Sequence, residues 1–232
     1  MKIVITGASR GIGKATAMKF ASMGHHLILG AKTAHYLKKS AEEIKSTFPQ
    51  CSVDFMAADL SRREEAIHFA EWTLGFGVPD LLINNAGTYL QGNVVYGPDA
   101  NMEYLMNVNF YSAYHVTKII APAMVGKKSG HIFNMSSIAA LQAYPNGGDY
   151  GVSKFALSGF SKNLRLELLP HGIRVTCLHL GAVETDSWQG FDNSKDRIMR
   201  PTEIAELIAS IADLKGSVVV EDMVVRPQLG DL

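Results

Sequence analysis

Cysteine is nearly missing from this chain: its 232 residues contain two, Cys51 and Cys177. Two cysteines cannot build a disulfide framework, which excludes the small stapled scaffolds of the secreted world and fits a reducing, cytoplasmic setting. Cys177 lies in the apolar run Ile173–Leu178 and reads as a small core residue rather than a catalytic thiol. A charge excess is missing too. Lys and Arg total 22, as do Asp and Glu, for a formal net charge of zero. Nucleic-acid binders carry a basic face, and here Lys127-Lys128 and Arg62-Arg63 read as solvated helix ends. No apolar stretch approaches about 18 residues, so no membrane span is expected. The eight histidines show no His-Glu-x-x-His spacing and the cysteines no Cys-x-x-Cys, so no metal is expected. Met1-Lys2-Ile3-Val4-Ile5-Thr6 runs directly into a glycine loop, leaving no room for a signal peptide.

Hydrophobic residues make up 47% of the chain, enough to bury a sizeable core. Short β-branched runs at 2–6, 26–31, 52–57, 80–84, 130–135, 172–179 and 217–225 alternate with amphipathic stretches. The stretches cover 12–23, 33–47, 62–74, 101–126, 149–169 and 202–213. Such alternation predicts a parallel sheet covered by helices on both faces, within a single domain over 1–232. Local punctuation agrees. Ser61-Arg62-Arg63-Glu64 has the spacing of a capping box, Thr33 suits an N-cap, Gly24 a C-terminal stop, and Pro201 a first helical position.

The first strand leads into Thr6-Gly7-Ala8-Ser9-Arg10-Gly11-Ile12-Gly13 and then a helix. Gly7, Gly11 and Gly13 let backbone approach a pyrophosphate closely, and the helix N-terminus supplies free N–H groups. Where a dinucleotide site for NAD places an acid, the second strand ends Ala31-Lys32-Thr33. Lys32, with Arg10 in the glycine loop, suits a 2′-phosphate, so NADP(H) is expected. Tyr150 and Lys154 stand four apart at the start of a helix and share one face. A neighbouring ammonium favours the phenolate, so Lys154 is expected to bring the Tyr150 pKa down.

In register, Thr6-Gly7…Gly11…Gly13, Asp59, Asn84-Asn85-Ala86-Gly87, Asn109, Ser137, Tyr150, Lys154 and Gly181…Thr185 resemble the short-chain dehydrogenase/reductase family over essentially the whole chain. The resemblance implies a three-layer, doubly wound Rossmann fold with a seven-stranded parallel sheet. It implies Tyr150 as general acid/base, Lys154 as the group that tunes it and holds the nicotinamide ribose, Ser137 as donor to the substrate oxygen, and Asn109 as holder of a relay water. Asn85, Ala86 and Gly87 would lie against the cofactor. Asp59, beside Leu60, would meet the adenine, and Gly181, the Val183 backbone and the Thr185 hydroxyl the nicotinamide end. The family usually has Pro-Gly where this chain has Leu180-Gly181, which puts that loop's geometry in doubt.

The segment Gly181-Ala182-Val183…Thr185-Asp186-Ser187-Trp188 and the tail Arg226–Asp231 are similar to bacterial sepiapterin reductase-like members; a 3-oxoacyl reductase fits nearly as well. The reading is an NADP(H)-dependent reductase of a small-molecule ketone or aldehyde. The alternative, a catalytically silent cofactor-binding regulator, would show a broken tetrad, and all four residues are present. Trp188 and Phe191, with Tyr144, Tyr89 and Met199, are candidates to line the substrate site. The helices at 108–126 and 149–169, through Val116 with Ile119-Ile120 and Phe155 with Phe160, are candidates for a homodimer or homotetramer interface.

Overall fold

A computed structural model describes residues 1–188, 192–193, 197–215 and 217–231. Seven strands form one parallel sheet: β1 (Lys2–Thr6), β2 (His26–Ala31), β3 (Val53–Ala57), β4 (Leu81–Asn84), β5 (Gly130–Ser137), β6 (Ile173–Leu180) and β7 (Asp222–Val225). Their order is β3-β2-β1-β4-β5-β6-β7. The order reverses between β1 and β4, and the crevice outside the carboxyl ends of these two strands is where such sheets take ligands. The last strand is shorter than its apolar run: pairing begins at Asp222 rather than near residue 217.

Successive strand side chains point to opposite faces, and both faces are apolar. Ile3, Ile5, Leu27, Leu29, Phe133 and Leu178 meet one helix layer, contributed by α1 (Gly11–Ser22), α2 (Ala34–Thr47) and α7 (Pro201–Asp213). Val4, Ile28, Leu82, Ile132 and Val175 meet the other, contributed by α3 (Arg63–Leu74), α5 (Ser112–Lys127) and α6 (Gly148–Leu168). Each such fully buried aliphatic side chain contributes roughly 1.5–3 kcal/mol. Val116 and Ile120 are wholly buried in this second layer and so face the chain's own sheet, not a partner; Phe155 remains exposed.

Two local expectations are corrected. The long helix expected over 101–126 is interrupted: α4 (Asp99–Met106) passes through a π-helical segment, Asn107–Tyr111, before α5 begins. The capping box at Ser61 does not form, because the Ser61 hydroxyl donates to Asp59 Oδ1 at 2.6 Å instead. Arg62 takes the cap position without a side-chain bond, and Glu65, not Glu64, accepts from the Asp59 N–H at 2.7 Å. Thr33 does precede α2, again without a side-chain cap. Pro201 opens α7, and Glu203 accepts from the Arg200 N–H at 2.7 Å.

Candidate active site

The β1–α1 loop is built to a tight tolerance. Gly7 and Gly11 hold φ values of +67° and +53°, where a side chain is disfavoured. A Cβ on Gly13 would collide with the Gly7 carbonyl oxygen and lie 2.5 Å from Asn85 Nδ2. No side chain caps α1, and no acid stands in its first turn, so the amide end of the helix is open to an anion. This cradle fits a dinucleotide pyrophosphate.

The β4 turn is fastened to the same loop. Asn85 Nδ2 donates to the carbonyls of Thr6 and Gly7 at 2.9 and 3.2 Å, while the Thr6 hydroxyl accepts from the amides of Asn85 and Ala86 at 2.9 and 3.0 Å. On the far side, the loop after β6 closes down: Thr185 Cγ2 lies 3.2 Å from where a Gly11 Cβ would be, and Val183 bridges to Met199. Leu180, in place of the family proline, ends β6 in register with Ser137 and Val225, and the next amide, Gly181, donates to Val225 O at 2.8 Å. The proline is thus replaced without loss of strand pairing. Met199 is buried in the core and does not line the substrate side. Phe191 lies outside the described residues.

At the ends of β2 and β3, Lys32 pairs with Asp59 at 2.8 Å. Burial opposes ionisation of Asp59, but hydrogen bonds from Lys32 and Ser61 outweigh it and hold the carboxyl below its ordinary range. Ala31 and Leu60 are buried beside them, and Thr33 is exposed. Arg10 forms an ion pair with Asp186, and its guanidinium carbon lies 5.9 Å from the centroid of the Tyr36 ring. Both cations are largely exposed, so these pairs are worth under about 1 kcal/mol each and are easily exchanged for a phosphate.

The second cluster stands at the ends of β4 and β5. Tyr150 and Lys154 lie one turn apart on α6, with the ammonium 5.8 Å from the Tyr150 ring centroid. Lys154 is buried and donates to the Met135 carbonyl at 3.0 Å. The Ser137 hydroxyl stands beside the Tyr150 phenol, and its Oγ accepts from the Ala139 amide at 3.1 Å. Asn109, in the π segment, donates to Ser153 Oγ at 2.9 Å, and Ser153 donates to the Tyr150 carbonyl at 2.7 Å. A Cβ on Gly87 would meet Asn109 Oδ1 at 3.3 Å and Lys154 Nζ at 3.5 Å, so the β4 turn abuts the tetrad. All four residues expected from the sequence therefore converge. Ser153 was missed there: nothing in its type or spacing distinguishes a hydroxyl that bridges two others.

The electrostatics differ from the expectation. Burial pushes the Tyr150 phenol up, and the Ser137 hydrogen bond only partly opposes it; Lys154 does not pull it down. Burial instead lowers the lysine itself, to about 8. Tyr150 is thus protonated at neutral pH. Its ring meets Tyr89 edge-on at 5.0 Å, and Tyr89 is hydrogen-bonded to Tyr144, an aromatic wall beside the tetrad.

The model of the short chain dehydrogenase family matches residues 1–196. This chain is a short-chain dehydrogenase/reductase. Among its relatives is a sepiapterin reductase of Chlorobaculum tepidum, 31% identical over 242 residues, which cover 99% of this chain and 97% of that one. A metagenomic short-chain oxidoreductase solved with NADP superposes at a TM-score of 0.86, with 32% identity over 98% of this chain and 97% of that one. L-sorbose reductase of Gluconobacter frateurii, solved with NADPH and L-sorbose, superposes at 0.88, with 27% identity over 97% and 94%. As a member of this family, the chain is an oxidoreductase acting on alcohol or carbonyl groups. Among the described residues, no helix is long and apolar enough to cross a membrane.

Proposed function

We propose that this short-chain dehydrogenase/reductase is an NADP(H)-dependent reductase that converts a ketone or aldehyde to an alcohol. The observation that carries the reading is the convergence of Tyr150, Ser137, Asn109 and a buried Lys154 on the β4 turn beside the cofactor cradle. A nicotinamide cofactor held by the β1–α1 loop and Lys154 would supply the hydride for the carbonyl carbon. Ser137 donates a hydrogen bond to the carbonyl oxygen and orients it. Tyr150 gives its proton to that oxygen as negative charge develops there, the role of a general acid. Lys154, behind the phenol, stabilises the tyrosinate left by the transfer. Asn109 keeps α6 and the β4 turn in register through Ser153 and Thr88.

The NADP(H) preference is supported by Lys32 and Arg10 where an acid would serve NAD, and by the NADP or NADPH in the related crystal structures. The Tyr89–Tyr144 wall and the sepiapterin reductase relative support a planar carbonyl substrate. The reading also makes the protein a single-domain, cytoplasmic homodimer or homotetramer without nucleic-acid or membrane partners; exposed Tyr111 in the π segment and Val152 and Phe155 on α6 support an interface there. The test is consumption of NADPH and NADH with sepiapterin, a diketone, an acetoacetyl thioester and an aromatic aldehyde. The reading expects NADPH oxidation with one of these classes. NADH preferred with every substrate would overturn the cofactor assignment, and no turnover with any while NADPH binds would favour a silent protein.

A further inference from the structure

A second cluster of reactive side chains lies one strand beyond the tetrad, at the far edge of the sheet. Cys177 and His179 are two apart on β6 and project to the same face; Asp222 is the registered partner of Cys177 on β7. One ligand atom from each, the thiol sulfur, an imidazole nitrogen and a carboxylate oxygen, falls within 4.8 Å of the other two. His179 Nε2 lies 2.9 Å from Asp222 Oδ1, and the Cys177 thiol stands beside the same imidazole. Cys177 and His179 are each 1% exposed, whereas Asp222 reaches solvent.

Hydrogen bonds serve this arrangement poorly. Nε2 is committed to the Asp222 carboxylate, and the other ring nitrogen, Nδ1, is buried without a partner among the described residues. A divalent cation at the shared point would satisfy all three ligands at once. Around zinc, tetrahedral ligand atoms stand about 3.3–3.6 Å apart, from bond lengths of about 2.0 Å to nitrogen or oxygen and 2.3 Å to sulfur. The His–Asp distance then needs to open by a few tenths of an ångström, while the sulfur, within 4.8 Å of the other two ligand atoms, closes toward them. The nearby cation Arg165 is already occupied by Glu221 at 3.0 Å. Burial of Cys177 excludes it as a nucleophile toward a bulky substrate, but an ion can enter past Asp222.

We propose that Cys177, His179 and Asp222 form a binding site for a zinc-class divalent cation, with a fourth position open to water on the Asp222 side. Binding displaces the thiol proton and the Nε2 proton of His179 to solvent, Nδ1 keeps its own, and no electron is exchanged. One thiolate, one imidazole and one carboxylate are a ligand set for zinc or cobalt rather than for calcium or magnesium. The site ties the short edge strand β7 to β6, so its occupancy should raise the melting temperature.

The full-length protein, freed of metal with a chelator, is titrated with Co²⁺ as a spectroscopic probe and then with Zn²⁺. The proposal expects one equivalent of Co²⁺ to give a thiolate-to-cobalt charge-transfer band that Zn²⁺ abolishes. Cys177→Ser should delete the band, Cys51→Ser should leave it, and Asp222→Asn, a change at an exposed position, should weaken binding by about tenfold or more with the fold intact. Absence of the band in the wild type overturns the site, as does a band that survives Cys177→Ser or that Asp222→Asn leaves at unchanged affinity.

Discussion

The side-chain amide of Asn109 and the backbone of Thr88 are joined twice. Asn109 Oδ1 accepts from the Thr88 N–H at 2.7 Å, and its Nδ2 donates to the Thr88 carbonyl at 3.0 Å. With the bond to Ser153, this buried side chain is committed to holding the β4 turn against α6. The π segment makes this possible by inserting an extra residue per turn, a feature frequent at functional sites.

Replacing Asn109 should therefore cost stability as well as rate. Asn109→Ala leaves two part-buried backbone groups of Thr88 unpaired, a loss of about 3 kcal/mol. For a chain of this size that is a fall of roughly 10 °C in melting temperature. Differential scanning calorimetry checks it. An unchanged melting temperature would mean that the turn is held elsewhere.

Lys154 should burden the fold that it serves. Burial lowers its pKa from 10.5 to about 8, so the unfolded chain holds the extra proton between those values. The stability contributed by this group accordingly rises with pH from about 8 to 10.5, and its cost is complete below about 8. Lys154→Met removes the cost. The cofactor-free variant should be more stable than wild type at neutral pH, by up to roughly 3 kcal/mol, while losing activity. Urea unfolding of both proteins at neutral and alkaline pH tests the sign: the advantage should shrink as pH rises. A gap that stays constant would show that Lys154 titrates normally.

Cofactor choice should follow the two cations at the ends of β1 and β2. Arg10→Ala and Lys32→Ala each remove a charge-assisted bond to a 2′-phosphate, worth about 1.5–3 kcal/mol. The KM for NADPH should rise about ten- to a hundredfold, with the KM for NADH nearly unchanged. A parallel rise for both cofactors would place these side chains on the pyrophosphate instead.

The sequence made most of this legible because the information is local. β-Branched runs marked the strands, and the glycines announced their own loop, since only they tolerate its φ values and close contacts. Tyr150 and Lys154 were paired by helical spacing. What was hidden depended on competition or on distance. Ser61 had two possible partners, and the carboxylate of Asp59 won over the helix end. An apolar stripe such as Val116 with Ile120 does not say whether it faces its own sheet or a partner. The π segment differs from an α-helix by one hydrogen-bond step and has no side-chain signature. The sign of the Tyr150 shift turned on burial, which no spacing reports. Cys177 and His179 met Asp222 only across a strand pairing 43 residues long in sequence separation.

The central claim is that Tyr150 protonates a carbonyl while a hydride arrives from NADPH. It is tested by supplying NADPH deuterated at the nicotinamide C4 with the carbonyl compound that supports turnover. Mass spectrometry then reads deuterium at the alcohol carbon for wild type and Tyr150→Phe. The account predicts one deuterium per alcohol in the wild type. In Tyr150→Phe it predicts a rate lower by about a hundredfold or more, with NADPH binding preserved. Label transfer by Tyr150→Phe at the wild-type rate would contradict it.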